Sequence, residues 1–206
     1  MGRREEHKAR TRQQLIDTGL RQFRERGFDA TRVQDIVDAV GVSQATFFNY
    51  FPTKQAILEA QSAYTAELYD ALLRHELDRE EASVPARLEQ ITKVLAAYLE
   101  SDAETSTLLV SRTQLFFGQR ADPDRAHHSH DLMARLFAEG QARGEIDAVA
   151  DPDQLAELYA ATFMLTVTNW LTGWWGATTQ TLGDRLLAAL RVFLHGALAP
   201  GADRPG

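Results

Sequence analysis

The stretch Thr31–Phe51, TRVQDIVDAVGVSQATFFNYF, decides how this chain folds and what it can be used for. Val33, Ile36, Val37 and Val40 recur at the i, i+3, i+4, i+7 spacing of one helix face, so they predict a short helix with a buried apolar stripe. Thr31 is read as its first capping residue, with Gln34 three positions on completing a capping box. Gly41 stops that helix, and Ser43 is placed to cap the next one, which runs to about Phe51. Two short helices joined by Gly41-Val42-Ser43 have the form of a helix-turn-helix, whose second helix enters the major groove of DNA.

Helical geometry sorts the side chains of that second helix, because each residue turns about 100° from the last. Phe47 and Phe51 share the inward face. Ala45 and Asn49 lie almost opposite, Thr46 and Phe48 flank them, and Gln44 sits in the first turn. The outward set is a chemically sensible reading head. The Asn49 carboxamide can pair with adenine through two hydrogen bonds, and the Ala45 methyl suits the methyl group of thymine. Thr46 can bond a base or a phosphate. Arg32 and the basic arm (Arg3, Arg4, Lys8, Arg10, Arg12) on one side, and Lys54 on the other, are expected at phosphates. The DNA-facing set is therefore Arg32, Ser43, Gln44, Ala45, Thr46, Phe48, Asn49, Tyr50 and Lys54. A purely structural helical turn with a solvated face leaves Phe48 and Tyr50 without a reason.

Working outward, nearly everything else also reads at helical spacing, with no repeat and no strand-like alternation. Arg12–Arg26 forms a helix before the motif, with Ile16, Leu20 and Phe23 on one face and Gly27 as a left-handed cap. Further helices are expected from Lys54 to about Arg79 and over 85–100, 103–118, 123–143, 151–175 and 181–198. The expectation is an all-α protein of about nine helices. A three-helix DNA-binding domain over 1–52 precedes a helical ligand-binding and dimerisation domain over 53–200, with a disordered tail at 201–206.

Charge follows the same division. Residues 1–54 hold ten Lys and Arg against seven Asp and Glu, while the remaining 152 hold twelve against twenty-two. A net charge of −7 is thus concentrated away from the motif, as expected of a polyanion-facing module on an acidic body. The chain contains no cysteine, which excludes disulfides, thiolate metal sites and cysteine nucleophiles, and suits a cytoplasmic location. No signal sequence is read at the basic N-terminus. The uncharged run Leu158–Gly183 is long enough to cross a bilayer. It also carries Thr162, Thr166, Thr168, Thr172, Thr178, Thr179, Asn169 and three glycines, so a buried helix is expected and no membrane partner.

Thr11–Leu58 closely resembles the DNA-binding domain of TetR-family regulators. The resemblance lies in the RGF-DAT entry to the second helix, the I-V-x-x-V-G-V-S turn and the T-F-F-x-Y-F-P-T-K passage into the fourth helix. It implies an all-α homodimer that binds a palindromic operator and is released by a small effector. It also implies that Thr46, Tyr50 and Lys54 contact phosphate. Phe48 stands where such proteins commonly have tyrosine; lacking the hydroxyl, it is read as an apolar contact to a base or sugar.

The body is rich in aromatic side chains, which are usually core, yet a few are expected around an effector. The expected set is Tyr98, Arg112, Phe116, Phe137, Phe163, Asn169, Trp170 and Trp174, for an apolar or aromatic small molecule. Arg112 is equally readable as an interhelical salt bridge. Helices 151–175 and 181–198 are expected to pair two copies of the chain, the second through Leu186, Leu190, Phe193, Leu194 and Ala197. His127, His128 and His130 could share a metal but read more simply as a solvated helical turn. No nucleophile elbow, phosphate loop or zinc-protease motif is present, so neither an enzyme nor a cofactor or metal is expected. The alternative function is a DNA-binding protein whose body serves only dimerisation or a protein partner.

Overall fold

The structure, a computed structural model, describes residues 2–113, 123–148, 150–176 and 178–195. Among them are nine helices: α1 (Arg3–Arg26), α2 (Val33–Val40), α3 (Gln44–Tyr50), α4 (Gln55–Leu77), α5 (Val84–Ser101), α6 (Ala103–Thr113), α7 (Pro123–Ala142), α8 (Pro152–Thr172) and α9 (Leu182–His195). The chain is all-α, as read. The expected tail 201–206 lies outside the described residues, and so do Phe116, Phe117 and Ala197.

Two local expectations change. α1 begins at Arg3, not Arg12, with Glu5 and Glu6 in its first turn, where carboxylates favour the helix dipole. α2 is capped by Arg32, whose backbone N–H donates to the Asp35 carboxylate at 2.8 Å, so Asp35 and not Gln34 completes the box. Thr31 is fully buried instead, its hydroxyl 2.9 Å from the carbonyl oxygen of Gly27 and 3.2 Å from that of Gln22. There it adds a hydroxyl contact to carbonyls at the end of α1 and just beyond it.

The chain packs as two compact units. The first gathers α1–α3, α4 as far as Glu67, and α6 from Glu104; the second gathers α4 from Leu68, α5, and α7–α9. The expected boundary at 52/53 thus falls inside the first unit. The reason is visible in its core, where Ile57 and Leu58 of α4 and Leu109 of α6 are buried with Leu15, Phe23, Ile36 and Phe47. Three short helices alone would leave that face wet.

In the second unit α7 and α8, α5 and α9, and α8 and α9 pack in pairs. The fully buried Arg87 of α5 donates to the Glu76 carbonyl at 2.9 Å and to the Glu139 carboxylate on α7. That guanidinium holds the Glu139 carboxyl below the usual carboxylate range, with Arg143 assisting. Leu186 and Leu190 of α9 are buried within this unit, so their stripe is not the outward face expected of it. Among the described residues, no helix is long and apolar enough to cross a membrane.

Candidate DNA-binding site

Gly41 makes the turn between α2 and α3 possible. Its backbone is left-handed (φ 80°, ψ 35°), a conformation that costs other L-residues about 1–2 kcal/mol, and its N–H closes α2 on the Val37 carbonyl at 2.8 Å. Ser43 then starts α3 as expected, its Oγ accepting from the Thr46 N–H at 3.1 Å. The two hydroxyls of Ser43 and Thr46 also lie 2.9 Å apart.

Phe47 and Phe51 lie beneath α3, 0% and 2% exposed, with ring centroids 5.9 Å apart. Arg12 of α1 stacks its guanidinium 5.3 Å from the Phe51 ring centre. Of the set expected to face DNA, Ser43, Gln44, Ala45, Phe48 and Asn49 are exposed, Thr46 is half-buried, and Tyr50 is half-buried against the core. Phe48 is 51% exposed and meets Phe47 edge to face at 5.5 Å. Phe48 thus presents a bare phenyl ring on the outer side of α3, held there by an aromatic neighbour.

Lys54 behaves differently. Its Nζ donates to the carbonyls of Phe28 (2.6 Å), Thr31 (2.8 Å) and Asp29 (3.3 Å), and stands 4.5 Å from the centre of the Phe28 ring. An ammonium has three N–H groups, and all three are directed at the loop between α1 and α2. The side chain expected at a phosphate therefore clasps the entry to the motif. Arg32 remains exposed at the start of α2.

One feature escaped the sequence reading. Gln34, Gln44 and Asp38 are joined by side-chain hydrogen bonds: Gln44 Nε2 donates to Gln34 Oε1 at 2.6 Å, and Gln34 Nε2 donates to Asp38 Oδ1 at 2.6 Å. Half of this was available as an i, i+4 pair on α2; the bond across the turn was not.

The expected effector residues do not converge. Arg112 pairs with Asp29 at 2.6 Å and lies over Phe28, within the first unit. Phe137 is core, packed between Tyr159 and Phe193 at ring distances of 6.3 and 5.8 Å. Asn169 is buried and accepts from the Trp175 N–H at 2.6 Å, while the Trp170 indole donates to the Gln180 carbonyl at 3.0 Å. Both fasten the loop after α8. Trp174 is 69% exposed and stacks on Trp175, and Tyr98 is half-buried on α5. Among the described residues of the set, only Phe163 lines a cleft in the second unit, with Thr92, Tyr159, Thr162, Leu190 and Phe193 among its other walls. That cleft is small, with a cavity volume of about 10 Å³. Burial pushes the Tyr159 hydroxyl up to about 12, and Thr92 lies 3.1 Å from it, so the cleft offers neutral hydroxyls.

The histidines diverge as well. His128 faces Arg74 at 2.7 Å and His130 faces Asp153 at 3.4 Å; the side chain of His127 lies outside the described residues. Among the described residues, no group of three or more His, Asp or Glu is placed to hold a metal.

Comparison with known proteins adds a lineage. Residues 15–60 match the model of bacterial regulatory proteins of the tetR family. The transcriptional regulator AcuR of Cereibacter sphaeroides is 32% identical over 175 residues, covering 80% of this chain and 73% of that protein. The HTH-type transcriptional repressor DhaR of a Mycobacterium species is 31% identical over 167 residues, covering 74% and 78%. The fold is shared with the Thermus thermophilus repressor FadR, solved in complex with lauroyl-CoA, at a TM-score of 0.63 and 24% identity over 95% of this chain and 99% of that one.

The geometry of Lys54 generates a test. Lys54→Ala should lower the stability of the chain by about 1.5–3 kcal/mol, the range for hydrogen bonds to a charged group, in a denaturant titration. The log–log salt slope of DNA binding should stay as it was. A slope reduced by about one unit at unchanged stability would return Lys54 to a phosphate.

Proposed function

The chain belongs to the TetR family of transcriptional regulators, and from that membership we propose that it represses transcription by binding a palindromic operator as a homodimer and lets go when a small apolar or aromatic effector binds. One observation carries the proposal. Phe47 of α3 and Phe51, which caps its end, point inside, while Gln44, Ala45, Phe48 and Asn49 are left exposed together. Such a helix suits the major groove, with carboxamides for adenine and apolar groups for thymine methyls. Phosphate contacts are assigned to Thr46, Tyr50, Arg32 and the basic arm, and Lys54 is assigned the clasp that holds the motif's entry.

A two-fold dimer is supported by unburied apolar side chains on the paired C-terminal helices. Leu158 and Leu165 lie two turns apart on one side of α8, 51% and 44% exposed, and Val192 of α9 is 55% exposed. These take the place of Leu190, which is 5% exposed and belongs to the unit's own core. The effector is assigned to the cleft beside Phe163 and Tyr159. α4 runs unbroken from Gln55 to Leu77 and is the route by which a bound effector would reach the reading head. A second reading, in which the body serves dimerisation or a protein partner without an effector, draws on the size of that cleft. At about 10 Å³ it is far smaller than the roughly 300 Å³ at which ligand pockets begin.

Three measurements follow. Asn49→Ala should cost about 1–3 kcal/mol in operator affinity with non-specific binding nearly unchanged in a gel-shift titration; equal losses on both kinds of DNA would remove Asn49 from base reading. Leu165→Glu should give monomers in sedimentation at concentrations where the parent chain is dimeric, and a surviving dimer would place the interface elsewhere. A screen of apolar small molecules should find one that raises the unfolding temperature, since binding the native state stabilises it by mass action. That compound must lose its effect when Phe163 is cut to alanine, or the cleft is not its site.

A further inference from the structure

The side-chain hydrogen bonds on the outer surface of α2 and α3 have a direction that chemistry fixes. A carboxylate accepts and does not donate, whereas a carboxamide can do either at its two ends and is nearly symmetric in shape. Asp38 therefore compels Gln34 to turn its N–H group toward it, at 2.6 Å. With its nitrogen committed on that side, Gln34 presents its oxygen on the other, and there it accepts from Gln44 Nε2 at 2.6 Å. The anion at one end thus removes the flip of both amides in series. Gln44 is left with its carbonyl oxygen and one N–H for an outside partner. Asp38, Gln34 and Gln44 are all exposed, so this chain lies on the surface that carries the reading head.

A surface i, i+4 pair accounts for Gln34 and Asp38 alone. It does not account for the bond to Gln44, ten residues on and across the turn. Nor does it explain a carboxylate at this place, where negative charge weakens the attraction to phosphate. An acidic end that dictates amide direction explains both.

We infer that Asp38 and Gln34 act as positioning residues that lock the Gln44 carboxamide with its oxygen toward DNA, so that Gln44 selects a base that presents an amine in the major groove, adenine or cytosine, over guanine or thymine. In the major groove adenine N6 and cytosine N4 are donors, whereas guanine offers O6 and N7 and thymine offers O4, all acceptors. A freely rotating glutamine serves either class by flipping. A glutamine held by Gln34 through one N–H keeps an oxygen that finds a donor on adenine or cytosine and only acceptors on guanine or thymine, and its remaining N–H completes the pair at adenine N7. Helix-turn-helix proteins bring the first residues of the second helix to the base edges, and Gln44 is the first residue of α3. This inference rests on the DNA-reading function proposed above.

The experiment is selection of random double-stranded oligonucleotides by the full chain and by variants, followed by sequencing. Gln44→Ala identifies the position that Gln44 reads, by flattening it. At that position the parent chain should prefer adenine or cytosine to guanine or thymine by at least roughly fivefold. Asp38→Asn, which offers a donor as readily as an acceptor, should bring the two classes level there and leave the other positions as they were. Gln34→Glu added to Asp38→Asn places an obligate acceptor against Gln44 again at the parent's net charge, and should restore the preference. That rescue separates amide direction from loss of charge, which would raise binding to all sequences alike. All three positions are exposed, so unfolding temperatures should match the parent. A flattened position that originally selected guanine or thymine overturns the inference, as does an Asp38→Asn motif unchanged everywhere, a Gln44→Ala motif with no flattened position, or a failed rescue. Each of these leaves the DNA-binding function standing. No enriched sequence for the parent chain would overturn that function and the inference with it.

Discussion

A helix as short as α3 does not persist in water, because nucleating a turn costs more than a few hydrogen bonds return. What holds it is the burial of Phe47 and Phe51, each worth about 1.5–3 kcal/mol when fully removed from water. Their partners come from α1, α2, α4 and α6, so a seven-residue reading element is underwritten by a core drawn from most of the first unit. The outward set is fixed as a consequence. Once Phe47 and Phe51 point in, 3.6 residues per turn leave Ala45, Phe48 and Asn49 no other direction.

The second constraint lies where α1 gives way to α2. Gly27 takes φ 87° and ψ 149°, a conformation open to glycine, though not the left-handed helical cap that its position suggests. The carbonyls freed by that bend are met from two sides, by the buried hydroxyl of Thr31 and by the ammonium of Lys54. Since Lys54 immediately precedes α4, the same clasp ties the exit of the helix-turn-helix to its entry. A reading head held at both ends loses little freedom on meeting DNA, and affinity is not drained by ordering it.

How much of this was legible depends on how far apart the cooperating residues stand. The faces of α2 and α3, the Ser43 cap and the Gly41 turn follow from spacings of three or four residues, and they are found as read. The partners of Lys54 lie 23 to 26 residues away and that of Arg112 lies 83 away, and no periodicity reports such pairs. A basic side chain without a local partner looks available, so Lys54 reads as a phosphate contact, and Arg112 reads as well for a ligand as for the salt bridge that it makes. Asn169 and Trp170 misled for a related reason. Polar groups in an uncharged helix suggest a ligand, but the loop after α8 has its own unmet donors and acceptors, and those came first. α9 carries the same lesson for apolar residues, since a stripe records that Leu186 and Leu190 are buried without saying against what.

The carboxylates on α2 put the charge balance of the first unit in a different light. Asp35 accepts from the Arg32 backbone and Asp38 from Gln34, so both acidic side chains of α2 are used to orient neighbours. Each subtracts from the attraction to phosphate, which grows with the number of charges neutralised and fades with salt. A surface evolved for grip alone would carry lysines there. Cations supply affinity without sequence information, whereas fixed hydrogen-bond directions supply discrimination with little affinity of their own. In the first unit the arm that begins α1 carries five cations against Glu5 and Glu6, whereas α2 carries two carboxylates and no cation, so these two tasks fall to separate elements of one short stretch of chain.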